Sequence, residues 1–302
     1  MATIKRCRPS LGTFVEITLT DDRVPPHLLE DMTEMAFGRI ARVQSLMGFR
    51  DPASELSRLS ACGHLHPLPV NEWTREVIAE AMRLSRASEG VFDIALSAPP
   101  AAGVIASPSA APVGVPTLAK NAEPPSHRDI ILHRDGRVSF RRPLELDLTE
   151  IARGYAVDKA AELLVEQRIQ QAVINAGGDI RFVGTRPRSL PLGAPAAPQS
   201  IHLNARVTAS AVATSAAYFA NGRHHWRKQS HIMHPRTGKA MRSNVSLSVF
   251  APTCVQADAL LKVVLLDEPS AWQSLLEKER ASAVFITSAG EMVRFPAMQV
   301  AA

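Results

Sequence analysis

Between Leu144 and Gly184 the chain is largely apolar, and the polar groups with chemical potential stand at its joints: Asp147, Arg153 beside Gly154, and the run Asn175-Ala176-Gly177-Gly178-Asp179. Backbone N–H groups are free at such joints, and glycine lets a ligand approach closely, so phosphate or nucleotide binding is the chemistry they fit. Gly177-Gly178-Asp179 is equally compatible with a plain turn or bulge between strands. A second polar cluster, His224, His225, His231 and His234, falls within 11 residues. Its spacing matches no common zinc pattern, and no cysteine accompanies it.

The elements that must hold these residues follow from hydrophobic periodicity. Leu144, Leu146 and Leu148 alternate as in a short strand, and Tyr155, Ala156, Ala160, Leu163 and Leu164 repeat at helical spacing. A strand over Ala172–Asn175 comes next. Upstream, Leu28 to Met47 keeps a helical stripe that Gly48 ends, and a second helix through Val77, Ile78, Ala81, Met82 and Leu84 stops at Gly90. Asp135-Gly136 predicts a hairpin joining 129–133 to 137–140. Downstream, the pattern predicts a strand over 244–250, helices over 256–266 and 271–278, and a closing hairpin over 283–295. Hairpins mixed with helices argue for an α+β fold, with mixed, largely antiparallel sheets and packed helices, and against a doubly wound parallel sheet. One domain spanning 1–302 is expected, with an Ala/Pro-rich loop at 98–126.

Composition fits a soluble enzyme without selecting a reaction. The chain has 302 residues, 46% of them hydrophobic, enough to bury a sizeable core. Its formal charge is +5 and its pI about 9.4, but Lys and Arg are dispersed and aromatics are few, which argues against nucleic acid as a partner. Three scattered cysteines, Cys7, Cys62 and Cys254, form no C-x-x-C and point to a reducing compartment or simple burial. Residues 1–19 contain no apolar run of signal-peptide length, Cys7 lies between arginines instead of in a lipobox, and no membrane-spanning run occurs elsewhere. A cytoplasmic protein is the expectation, or an exported one if a leader has been removed.

In order along the chain, seven blocks resemble the ApbE family, flavin transferases that move FMN from FAD onto a hydroxyl of another protein. They are Pro9–Ile17, Met47–Leu59, Glu89–Ile94, Leu144–Gly184, Ala213-Thr214-Ser215, His231–Gly238 and Ala257–Leu260. The resemblance implies phosphoryl transfer: an acceptor Ser or Thr hydroxyl attacks the flavin-side phosphorus of FAD, and AMP leaves. It also implies Mg2+, held by Asp258, the residue one turn on, Lys262, and the backbone carbonyl of Glu150. The flavin contacts it implies are Leu11, Phe49, Val91, Phe92, Asp93, Asp147, Arg153 and Ile232, with Asn175 beside the nucleotide. Asp258 and His231 are the implied catalytic residues. The partner is an acceptor flavoprotein carrying a short Ser/Thr flavinylation motif.

The chain departs from that pattern at several positions. Phe49 replaces a usual tyrosine or tryptophan, keeping the stacking face and losing the hydroxyl. Arg153 stands where lysine is frequent and retains the positive charge. A tryptophan expected after the Phe92-Asp93 block is missing, and His234 replaces an aspartate. Lys262 stands where threonine is common, and a protonated ammonium cannot ligate a metal. It either turns toward a phosphate or partly replaces the metal; without the resemblance, Asp258 and Lys262 read as a surface helix pair. The departures leave two alternatives to transfer, an FAD hydrolase giving FMN and AMP, and a catalytically weakened flavin-binding relative.

Overall fold

Along Thr13–Asp21, Val15, Ile17 and Leu19 are fully buried while Glu16 and Thr18 between them stay partly exposed, the period-two sorting that defines a sheet with one face to the core. The computed structural model describes residues 2–49, 51–96, 123–186, 188–194, 197–207, 211–216, 245–267, 269–287 and 289–295. In chain order the first elements are β1 (Ala2–Ser10), β2 (Thr13–Asp21), α1 (Pro26–Met47), α2 (Glu55–Cys62), β3 (Leu68–Pro69), α3 (Glu72–Ala87), β4 (Ala95–Leu96), β5 (Ile130–Leu132), β6 (Arg137–Phe140) and β7 (Glu145–Leu146). Then come α4 (Ala152–Glu166), β8 (Gln171–Ala176), β9 (Asp179–Val183), β10 (Arg188–Ala194), β11 (Ala197–Val207), β12 (Ala211–Ala216), β13 (Val245–Ala251), α5 (Cys254–Leu266), α6 (Pro269–Lys278), β14 (Ser282–Thr287) and β15 (Met292–Phe295).

These elements divide into two units. The first comprises Met1–Gln44, Ala87–Phe92 and Thr149–Ala302, and is built on an eight-stranded sheet of order β1-β2-β8-β9-β12-β13-β14-β15. Every neighbouring pair in it is antiparallel. Helices α4 and α5 pack on its β8, β9, β12 and β13 strands. Almost every side of α5 is buried, from Cys254 and Ala257 through Leu260, Leu261, Val263 and Val264, so a polar residue on it must find partners or stay unsatisfied. A separate apolar cluster joins Phe182, Val212, Phe250, Val284 and Ile286 to Leu190 and Leu192 of β10.

The second unit comprises Ser45–Arg86 and Asp93–Leu148. It holds α2, most of α3, a three-stranded sheet of order β3-β6-β5 and the two-stranded pair β4-β7. Leu56 and Leu59 of α2 are buried, and its Ser54 cap accepts a hydrogen bond from Ser57 N. Gly63 follows α2: a Cβ there would lie 2.6 Å from Leu59 O and 2.8 Å from the Phe140 ring. Only glycine permits that approach.

The α+β architecture and the antiparallel pairing agree with expectation, as do helices α1, α3, α4, α5 and α6 and the hairpins β5–β6 and β14–β15. Several elements have no counterpart in the expectation, among them β1, β2, α2, β10–β11 and β12. The polar strand β1 lacks alternation and pairs with β2 along its full length; α2 is a single short helix set by its cap; β10–β11 lies in a stretch without a clear period. The strand expected over Leu144–Leu148 shrinks to Glu145–Leu146, although all three leucines are fully buried. Helix α3 ends at Ala87, and the chain then turns through the left-handed region at Glu89 and Gly90 (φ 52° and 81°). The expected 98–126 loop lies mostly outside the described residues.

Candidate functional site

Helix α4 begins without a side-chain cap of its own, since Ile151 at its N-cap offers none. The carboxylate of Asp258, one turn into α5, takes that place: its Oδ2 accepts a hydrogen bond from Gly154 N at 3.2 Å. In the other direction Asp158 of α4 accepts hydrogen bonds from Cys254 N at 2.9 Å and Val255 N at 2.8 Å, the first free amides of α5. Each helix therefore caps the other, with a carboxylate at each positive helix end. Gly154 makes the approach possible, because a Cβ there would come within 2.4 Å of Cys254 O.

Asp158→Ala is expected to destabilise the protein by about 2 kcal/mol, leaving the buried Cys254 amide and the partly buried Val255 amide without acceptors. Urea unfolding checks this, and a loss below about 0.5 kcal/mol would show that the caps do not matter. Burial lifts the Asp158 carboxyl to about 6, against the pull of its two backbone hydrogen bonds. The folded state therefore takes up a proton as pH falls from about 7 toward 4, and the stability this group contributes rises over that window. The gap between wild type and variant is expected to widen on acidification.

The Gly177-Gly178 turn joins β8 to β9 with positive φ at both residues, 64° and 106°, as a two-residue type I′ hairpin requires. A Cβ on Gly177 would meet Thr13 Oγ1 at 2.6 Å. Asn175 Oδ1 accepts from Gly178 N at 3.0 Å, so this side chain is occupied in shaping the turn. The turn delivers Asp179, 1% exposed, to Arg153: Arg153 Nε donates to Asp179 Oδ2. Arg153 Nη2 lies 3.9 Å from Asp258 Oδ1, beyond hydrogen-bond length.

The second oxygens of the two acids are the informative ones. Asp179 Oδ1 and Asp258 Oδ1 are buried and accept no hydrogen bond among the described residues. Burial, and then the neighbouring Asp179 charge, push the Asp258 carboxyl well above the ordinary carboxylate range, with Arg153 acting the other way. Burial raises Asp179 as well, opposed by Arg153. Burial disfavours the Arg153 charge, but Asp179 and Asp258 outweigh it and hold the guanidinium protonated. Two hard oxygen acceptors without donors suit a cation such as Mg2+, which usually takes one or two carboxylates and completes its shell with waters and substrate phosphates. Among the described residues no group of three or more His, Cys, Asp and Glu is arranged to hold a metal ion by itself, so the remaining ligands of such an ion would have to come from elsewhere.

Lys262 is 8% exposed and Asp258 1%, which rules out the surface-pair reading. The Lys262 ammonium lies 2.9 Å from Glu150 Oε1, a carboxylate that sequence reasoning passed over in favour of the Glu150 carbonyl. Of the other expected contacts in this unit, Leu11 has φ 54° and donates its N–H to Gln44 Oε1 at 2.7 Å, while Val91 and Phe92 are buried. In the second unit Phe49 is half-buried and Asp147 N donates to Ile94 O. Asp93 is committed locally, accepting from Ala95 N and His127 N and pairing with His127 Nδ1 at 2.8 Å. His231, Ile232, His234 and the other clustered histidines lie outside the described residues. The partnership of Asp179 with Arg153, the Asp158 cap and the Glu150 side chain were missed; a signal was available for Asp158 alone, a polar residue in an otherwise apolar helix stripe.

The profile of the ApbE family matches residues 11–286, and the chain belongs to that family. It is 23% identical over 252 residues to the FAD:protein FMN transferase of Escherichia coli K12, covering 79% of this chain and 71% of that one. With the FAD:protein FMN transferase of Vibrio cholerae serotype O1 the identity is 31% over 220 residues, 68% of this chain and 64% of that one. Its fold is shared with the ApbE protein of Thermotoga maritima (TM-score 0.76, 21% identity, 97% of each chain). It is shared too with the flavin transferase ApbE of Vibrio cholerae (TM-score 0.73, 24% identity, 97% of this chain and 96% of that one).

Proposed function

We propose that the protein transfers FMN from FAD to a Ser or Thr hydroxyl of an acceptor flavoprotein and releases AMP. Family membership supports the reaction class, and the observation that carries the site is the pair of buried, donorless oxygens on Asp179 and Asp258. When bound there, Mg2+ would neutralise the diphosphate and stabilise the departing AMP phosphate. The residues of the chain do the rest. Arg153, in the first turn of α4 and paired with Asp179, is assigned to orient the diphosphate on the strength of its retained positive charge. The acceptor oxygen forms a bond to the flavin-side phosphorus as the bond from that phosphorus to the oxygen of the AMP phosphate breaks. Asp258 takes the hydroxyl proton: a carboxylate whose acid burial weakens is a better base once ionised. On the resemblance, Leu11, Val91 and Phe92 of the first unit are assigned to the flavin. His231 is assigned to phosphate or proton handling on the resemblance alone.

The test is to incubate the protein with FAD, Mg2+ and an acceptor protein bearing a Ser/Thr flavinylation motif, then follow acceptor mass and AMP. An FMN mass gain with equimolar AMP is expected. AMP without acceptor modification would replace transfer with hydrolysis, and no AMP at all would leave a flavin-binding relative. No helix among the described residues is long and apolar enough to cross a membrane.

A further inference from the structure

Three carboxylates, those of Glu150, Asp179 and Asp258, share one neighbourhood with two cationic side chains, Arg153 and Lys262. Arg153 is committed to Asp179, with Asp258 as its longer-range partner. Lys262 differs: its side chain is 10% exposed, while the Glu150 side chain it pairs with is 44% exposed. Water reaches the Glu150 end of this pair, so that carboxylate can give way to another anion while the buried ammonium keeps a partner. Asp258 and Lys262 are also one turn apart on α5, the spacing that makes side chains neighbours. Glu150, the partner of the ammonium, also acts electrostatically on Asp258 and Asp179, so the Lys262 charge belongs to the cluster that has oxygens to offer a divalent ion.

We propose that Lys262 is a built-in competitor of the divalent cation, weakening metal binding to the free protein and making it conditional on nucleotide. The inference rests on the transferase site described above. With all three carboxylates ionised, as cation ligation requires, the cluster carries one net negative charge; a neutral residue at 262 would leave two. A repelled divalent ion binds weakly to the free site. A diphosphate changes both terms, adding negative charge and offering Lys262 an anionic partner in place of Glu150. Ion and nucleotide then favour one another, and by linkage each raises the affinity of the other by the same factor.

The probe is Mn2+, titrated calorimetrically into the full chain after chelator treatment. Without nucleotide, Lys262→Met is expected to bind Mn2+ about tenfold or more tighter than wild type, and Lys262→Arg to stay near wild type. With saturating FAD, wild-type affinity for Mn2+ is expected to rise about tenfold and the gap to Lys262→Met to close. Nucleotide-free affinities of wild type and Lys262→Met within about threefold would overturn the proposal. If the Met variant does not fold, Lys262→Gln makes the same comparison. Flavin fluorescence separates the two claims: FAD binding to no variant overturns the transferase reading, while the nucleotide-free Mn2+ comparison still decides the role of Lys262.

Discussion

Asp258→Asn is expected to reduce FMN transfer about a thousandfold while leaving the protein folded. The amide has the shape of the carboxyl and keeps an oxygen for Gly154 N, so the α4 cap survives. It loses the charge that a divalent ion and an incoming proton both need. Burial already disfavours the Asp258 charge, so replacing the acid removes a strained group, and the urea midpoint is expected to stay level or rise. Acceptor mass and AMP release measure the loss. Transfer within about threefold of wild type would remove Asp258 from the chemistry, and with it the assignment of the cation to this corner of α5.

Gly154→Ala carries the largest expected stability loss. Alanine raises intrinsic helix stability by about 1 kcal/mol over glycine, so on α4 alone the substitution would help. The new Cβ, however, would stand 2.4 Å from Cys254 O and 2.7 Å from Cys254 C, backbone atoms that cannot rotate away. Overpacking of that kind costs about 3 kcal/mol or more. The clash wins, with a net loss of about 2 kcal/mol or more. As α4 and α5 part, the bond from Gly154 N to Asp258 breaks with them. Urea unfolding and transfer rate are expected to fall together, and an unchanged midpoint would mean that the two helices do not approach as closely as described.

Gly154 also shows what was readable before any coordinates. The helix it opens is plain in the sequence from Tyr155 to Leu164. That a second helix about a hundred residues on lies against it is not, since tertiary contact leaves no period in either segment. Asp258 was identified from the family pattern, whereas Asp158, its counterpart on α4, was hidden within a helix whose other buried residues are nearly all apolar. Glu150 was assigned through its carbonyl, because a carboxylate's partner depends on which side chain the fold brings near. Strand β1 escaped notice for a related reason: Arg6 and Arg8 look solvated in the sequence, yet they pair with Glu30 and Glu34 of α1.

The mutual capping of α4 and α5 bears on how the protein reaches its working form. The bonds from Gly154 to Asp258 and from Asp158 to Cys254 close loops of 104 and 96 residues. Contacts this remote in sequence repay their loop-closure entropy only after much of the intervening chain is ordered. During synthesis α4 leaves the ribosome long before its cap exists, its first turn open to water. The paired helix ends are thus among the last features the nascent chain completes, and a chain released before α5 holds Arg153 without Asp258.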